Sequence, residues 1–215
     1  MGLVLFDLDN TLLDREAAFA RWSRAFVREH GLPAEACSFM KSADRDGLEP
    51  KASFFEQVQA EFDIAVDIEE LLARYHEDYP PCYRVDQETV KGLRQLRSGG
   101  WRIGVVTNGA PTQLTKLEAT NLVDEFDGIC VSELVGVRKP DPAIFQIAAT
   151  LCESPLEGWM IGDSVAADMA GGRGVGLRTI WIARSRTWTS PDAVPDAITT
   201  TVLQAIKIIA EADSR

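Results

Sequence analysis

The stretch "LVLFDLDNTLLD", residues 3–14, decides how the rest of the chain is read. Leu3 to Phe6 form a short continuous apolar run rich in branched and aromatic side chains, which predicts a strand buried on both faces. Asp7 and Asp9 follow at once, with Asn10 and Thr11 supplying turn chemistry. A carboxylate taken out of water is costly unless it is paired, hydrogen-bonded or bound to metal. Two carboxylates side by side repel and raise that cost. The strand therefore requires compensating charge from elsewhere in the chain, or from an ion.

Downstream, residues 15 to about 80 carry no strand pattern. Ala18, Phe19, Trp22, Phe26 and Val27 recur at helical spacing up to Gly31, and "FFEQVQAEF" and "IEELLARYHEDY" continue in that style until Pro80 and Pro81 stop it. Strand and helix then alternate. A helix in 86–100 leads to the strand "WRIGVVTNG" (101–109), a helix over 111–121, a weak strand in "DGICVS" (127–132) and a helix over 141–151. "GWMIGDS" (158–164) reads as a strand, "VAADMAGGRG" (165–174) as its helix, "RTIWIA" (178–183) as a further strand, and 199–212 as a closing helix. This rhythm predicts an α/β fold: a doubly wound, Rossmann-like parallel sheet formed by residues 1–14 and 84–215, with residues 15–83 inserted as an all-helical cap. Such folds bind ligands at the carboxyl ends of their strands. Asp7, Asp9, Thr107, Asn108 and Asp163 all fall there.

Composition narrows the function. Of 215 residues, 46% are apolar, which suits a globular protein rather than a disordered one. No apolar stretch approaches the ~20 residues of a membrane helix, and the first residues lack the basic region of a signal peptide. A formal net charge of −11 argues against nucleic acid or an anionic membrane as partner, so a site for an anionic substrate must bring its own cations. Cys37, Cys82, Cys130 and Cys152 form no CxxC pair and read as reduced thiols of a cytoplasmic protein. His30 and His76 stand alone and read as helix-surface residues.

Lys139, in "GVRKPDP", is the cation that the carboxylates call for, held in a loop by Pro140 and Pro142. Asp163 and Asp168, in "GDSVAAD", bring the acids to four against that one lysine. A divalent cation would correct the imbalance, and a ligand set of oxygens without His or Cys favours Mg²⁺, which joins one or two carboxylates to a substrate phosphate.

"DLDNT", "TNG", "KPDP" and "GDSVAAD", in that order and at strand ends, resemble the four motifs of the haloacid dehalogenase-like (HAD) hydrolase superfamily. The resemblance covers residues 3 to about 183, and the helical insert resembles that superfamily's C1-type cap. It implies an enzyme that hydrolyses a small phosphorylated metabolite, such as a sugar phosphate or a nucleotide. Asp7 would be the nucleophile, forming an aspartyl-phosphate, and Asp9 the general acid and then the general base. Mg²⁺ would be held by the Asp7 carboxylate, the Asp9 main-chain carbonyl and Asp163. Thr107 and the Asn108 backbone N–H would bind phosphoryl oxygens, Lys139 would neutralise Asp7 and the phosphoryl group, and Asp168 would orient Lys139 or a metal-bound water.

Alternatives are open within and outside that superfamily. Its dehalogenases lack an acid two positions after the nucleophile, so Asp9 favours phosphate esters. A phosphomutase shares both acids, but Phe19 stands where the mutases' cap histidine aligns. A receiver-type signalling domain would place its acceptor aspartate mid-chain, and a non-catalytic phosphate-binding protein would not need Asp9. "KSADRDGLEPK" (41–51) is either a specificity loop, with Arg45 or Lys51 on the distal part of the substrate, or a solvent-facing connection. Arg15 is expected in a surface salt bridge, and Phe19, Trp22 and Phe26 in packing.

Overall fold

Leu3, Val4, Leu5 and Phe6 are all fully buried in the computed structural model, which describes residues 2–191 and 194–212. They form β1 (Leu3–Phe6), the third of six parallel strands in the order β3-β2-β1-β4-β5-β6. The others are β2 (Arg102–Thr107), β3 (Gly128–Val131), β4 (Gly158–Gly162), β5 (Arg178–Ile182) and β6 (Ala197–Thr199). This is the doubly wound order, and the direction of winding reverses between β1 and β4. In register, Phe6 lies between Val105 of β2 and Ile161 of β4. Leu3 and Leu5 face a core with Val106, Ile144, Phe145 and Met160. Alternation along the strand sends Val4 and Phe6 to the other face, where Phe6 meets Phe126 edge-on. Burial on both faces is why the run carries no polar alternation.

The chain divides into two compact units, Met1–Leu13 with Val85–Arg215, and Asp14–Arg84. In the second, α1 (Arg15–Glu29), α2 (Ala36–Asp44), α3 (Lys51–Phe62) and α4 (Ile68–Asp78) pack around a cluster of aromatic rings. Trp22 touches Phe19, Phe26, Phe54, Phe55, Tyr75 and Tyr79. The helical spacing of Phe19, Trp22 and Phe26 thus serves packing. Arg15 corrects its expectation: it is buried, with a bidentate bond to the buried Asp44 at 2.7 and 3.0 Å. Asp44 also accepts from Lys51 Nζ at 2.8 Å and from the Gly47 backbone at 2.9 Å, so it organises the whole turn. Arg45 is exposed, pairs with Glu49, and takes left-handed backbone at the end of α2.

The first unit carries α5 (Gln87–Ser98), α6 (Thr112–Ala119), α7 (Ser132–Val135), α8 (Pro142–Leu151), a π-helical turn over Val165–Ala170, α9 (Gly171–Gly174) and α10 (Val202–Ala212). The sixth strand is a correction to the sequence reading, which placed Thr199 in the closing helix. Thr199 instead ends β6 and accepts from the Ala183 backbone at 2.7 Å, and the helix begins at Val202. No described helix is long and apolar enough to cross a membrane.

All four cysteines are free thiols. Burial pushes Cys130 up to about 11 and Cys152 up to about 12, so neither offers a thiolate near neutral pH. Cys37 and Cys82 are half-buried. A native thiol titration with a disulfide reagent is expected to count only Cys37 and Cys82, and all four after denaturation. A native count above two would show that the core does not protect Cys130 and Cys152.

Candidate active site

Three strand ends, those of β1, β2 and β4, each deliver a polar group to the site. Asp7 follows β1, and its N–H still donates to Ile161 O at 2.8 Å, which fixes the carboxylate at the β1–β4 reversal. Thr107 is the last residue of β2, and Asp163 follows the last residue of β4. Lys139 comes from the loop ahead of α8, where Asp141 caps the helix by accepting from the Ala143 N–H at 2.9 Å and Pro142 occupies the first turn. The Asn108 side chain fastens this loop to the sheet. Its Oδ1 accepts from the Lys139 N–H at 2.8 Å, and its Nδ2 donates to the Lys139 carbonyl at 3.0 Å.

Lys139 is 3% exposed, and its ammonium donates to three oxygens, each at 2.7 Å: Asp7 Oδ1, Asp168 Oδ1 and the Val106 carbonyl. Three donors meet three acceptors, so the buried cation is saturated. Burial works to lower its pKa, but the Asp168 and Asp7 carboxylates overcome that and hold it above the usual lysine range. Asp7 is pushed up to about 7, chiefly by burial; Lys139 opposes this, while Asp168 and Asp163 add to it. Thr11 Oγ1 reaches Asp7 Oδ2 at 3.5 Å.

Asp168 is fully buried, with Oδ1 on Lys139 and Oδ2 accepting from the Ser164 N–H at 2.9 Å. The π-helical turn sets it there. Ser164 opens the turn by accepting from the Ala167 N–H, and its carbonyl accepts from both Asp168 and Met169. The glycine of "GDS" is required by this approach, because a Cβ on Gly162 would collide with the Asp168 carboxylate. Gly162→Ala is therefore expected to cost about 1–3 kcal/mol and to impair turnover. A melting temperature equal to the wild type's would show that Asp168 is not held against that strand end.

Among the described residues, Asp7, Asp163 and Asp168 are a group in which one oxygen from each lies within 4.8 Å of the others. An all-oxygen donor set of this kind fits a hard divalent cation. With both Asp168 oxygens engaged, Asp7 and Asp163 are the carboxylates better placed to hold it.

The sequence count of four acids against one lysine does not survive folding. Asp9 Oδ2 accepts from Lys116 Nζ at 2.5 Å and from Gln113 Nε2 at 3.1 Å, and Gln113 Nε2 also donates to Thr107 Oγ1 at 2.7 Å. Asp163 accepts from Arg186 at 3.0 Å through Oδ2 and at 2.7 Å through its carbonyl, and Arg184 lies 3.9 Å from Oδ2. The case for a metal therefore rests on the clustering of three acids, not on net charge. Gln113 and Lys116 had no distinguishing signal in the sequence, since polar residues three apart on a helix read as a solvated face. Arg186 had none either, since it lies in an irregular loop. Arg45 and Lys51 belong to the helical unit, where they bond to Glu49 and Asp44.

The family model for haloacid dehalogenase-like hydrolases matches residues 1–176. A phosphoserine phosphatase of Thermus thermophilus is 31% identical over 185 residues, covering 84% of this chain and 68% of its own. A glyceraldehyde 3-phosphate phosphatase of Pyrococcus abyssi is 29% identical over 191 residues, covering 83% and 80%. Among solved structures, a HAD hydrolase of Bacillus subtilis bound to magnesium superposes with a TM-score of 0.78 at 23% identity, covering 97% of this chain and 98% of its own. The parallel sheet places acids at its central strand ends, and the family match says what class of protein carries them. This chain belongs to the haloacid dehalogenase-like hydrolases, and it is an enzyme of their phosphatase type.

Proposed function

We propose that the protein is a Mg²⁺-dependent phosphatase that hydrolyses a small phosphate monoester through an aspartyl-phosphate on Asp7. The observation that carries this reading is the saturated Lys139, which spans Asp7 and Asp168 where the winding reverses between β1 and β4. It fixes one Asp7 oxygen and leaves the carboxylate's attack to the other. Thr107 and the Asn108 backbone N–H bind phosphoryl oxygens, and Lys139 stabilises the charge that develops on them. Asp9 protonates the leaving alcohol and then accepts a proton from the hydrolytic water. The Asp7 carboxylate, the Asp9 carbonyl and Asp163 would hold the metal, which when bound neutralises charge on the transferring group. Asp168 positions Lys139.

The two relatives named above act on different small phosphate esters, which supports the class of substrate and not one compound. We assign selectivity within that class to Arg45 and Lys51, and the free thiols suit a cytoplasmic setting. The test is phosphate release from p-nitrophenyl phosphate and from a panel of phosphorylated metabolites. Turnover is expected with Mg²⁺ and is expected to vanish with a chelator. No release from any ester with Mg²⁺ present would overturn the reading, as would halide release from a haloacid. An unchanged substrate ranking in Arg45→Ala and Lys51→Ala would remove those two residues alone.

A further inference from the structure

We propose that Gln113 and Lys116, on α6, are positioning residues for the Asp9 carboxylate. They set which of its oxygens exchanges a proton with the leaving group. The inference deepens the reading of Asp9 as the acid, and rests on it.

Gln113 is 3% exposed and Lys116 8%, beside Leu117, which is fully buried. A helix face that packs inward would ordinarily be apolar there. A buried lysine is tolerated only with a well-placed partner, and this one has Asp9 Oδ2 at 2.5 Å. Gln113 Nε2 reaches the same oxygen at 3.1 Å and holds Thr107 Oγ1 at 2.7 Å. One amide therefore ties the candidate acid to the candidate phosphate-binding hydroxyl.

Two donors converging on one oxygen fix the carboxylate's rotation about its Cβ–Cγ bond. Neither an ammonium nor an amide NH₂ can accept a hydrogen bond. Asp9 Oδ2 therefore carries no proton toward them, and the proton to be delivered resides on Oδ1. In the first half-reaction an Asp7 oxygen bonds to phosphorus and the bond from phosphorus to the leaving oxygen breaks. That oxygen keeps the electron pair and takes the Oδ1 proton, and Asp9 remains as a carboxylate held by Lys116 and Gln113. A side chain that only supported the fold would affect all esters alike. One that aims the acid matters in proportion to how much its leaving group needs a proton.

The test is kcat/KM, which reports the reaction up to leaving-group departure, on p-nitrophenyl phosphate, phenyl phosphate and glycerol phosphate. Gln113→Leu and Lys116→Met are each expected to steepen the dependence on leaving-group basicity. Glycerol phosphate should lose about 10- to 100-fold more than p-nitrophenyl phosphate. Asp9→Asn should show the same signature more strongly. If Asp9→Asn steepens the dependence and the two variants do not, the positioning inference is wrong and the acid assignment stands. If Asp9→Asn leaves the slope unchanged, the acid assignment fails and takes the inference with it. A uniform loss on every ester overturns the inference as well. Should Lys116→Met fail to fold, Gln113→Leu decides the question alone.

Discussion

Asp7→Asn is expected to lower kcat/KM by about a thousandfold or more and to leave a folded protein. The amide keeps the shape of the carboxylate but cannot form the phosphoryl bond. Folding should survive because Lys139 then faces Asp168 alone, one buried cation against one buried anion. The linkage gives a second readout. Burial pushes Asp7 up to about 7 from an ordinary 3.8, so in the metal-free protein the native carboxyl keeps its proton where the unfolded chain has lost it. That stabilisation is fully present below the unfolded value and disappears as pH rises through the folded one. Asparagine is neutral throughout, so the melting temperature of Asp7→Asn relative to the metal-free wild type should climb between pH 4 and about 7. A flat difference would mean that Asp7 ionises in the native state as it does in the unfolded chain. Residual activity of the wild type's own order would place the nucleophile elsewhere.

Residues 3–14 made the centre of the sheet legible because both requirements were local: an apolar run with no polar alternation, and two acids at its end. Thr107 and Asp163 were legible by position, since a parallel sheet collects strand ends at one edge, and Lys139 as the cation that the acids require. Partnerships that depend on how a helix rotates against the sheet were not. Gln113 and Lys116 face Asp9 only because α6 turns that face inward, and a polar residue there reads as solvated in the sequence. Arg15 shows the same failure in the helical unit, where the turn around Asp44 buries a pair that looked superficial. The sixth strand was missed for a different reason. Its three residues are too few to show a period, although the threonines that follow Ile198 are branched strand-formers. Asn108 was assigned only its backbone N–H; the clasp of its side-chain amide on both polar groups of the Lys139 backbone depends on a contact across 31 positions.

Removing the charge of Lys139 should have the largest effect on stability. Lys139→Met keeps much of the side-chain volume but leaves Asp7 and Asp168 without their shared cation, and the Val106 carbonyl without this donor. Taking away one partner of a buried ion pair typically costs about 3–5 kcal/mol. For a chain of this length that is a fall in melting temperature on the order of 6–20 °C. The loss comes from stranded charge and not from lost packing, which a double variant distinguishes. Adding Asp168→Asn removes one of the two abandoned carboxylates and should return part of the stability, so the two substitutions together cost less than the sum of each alone. If cavity formation were responsible, the costs would add. Activity should not return in the double variant, because the Lys139 charge assigned to the phosphoryl group is still missing. A Lys139→Met protein that melts with the wild type, or losses that simply add, would mean that solvent and not Lys139 balances the acids at the β1–β4 reversal.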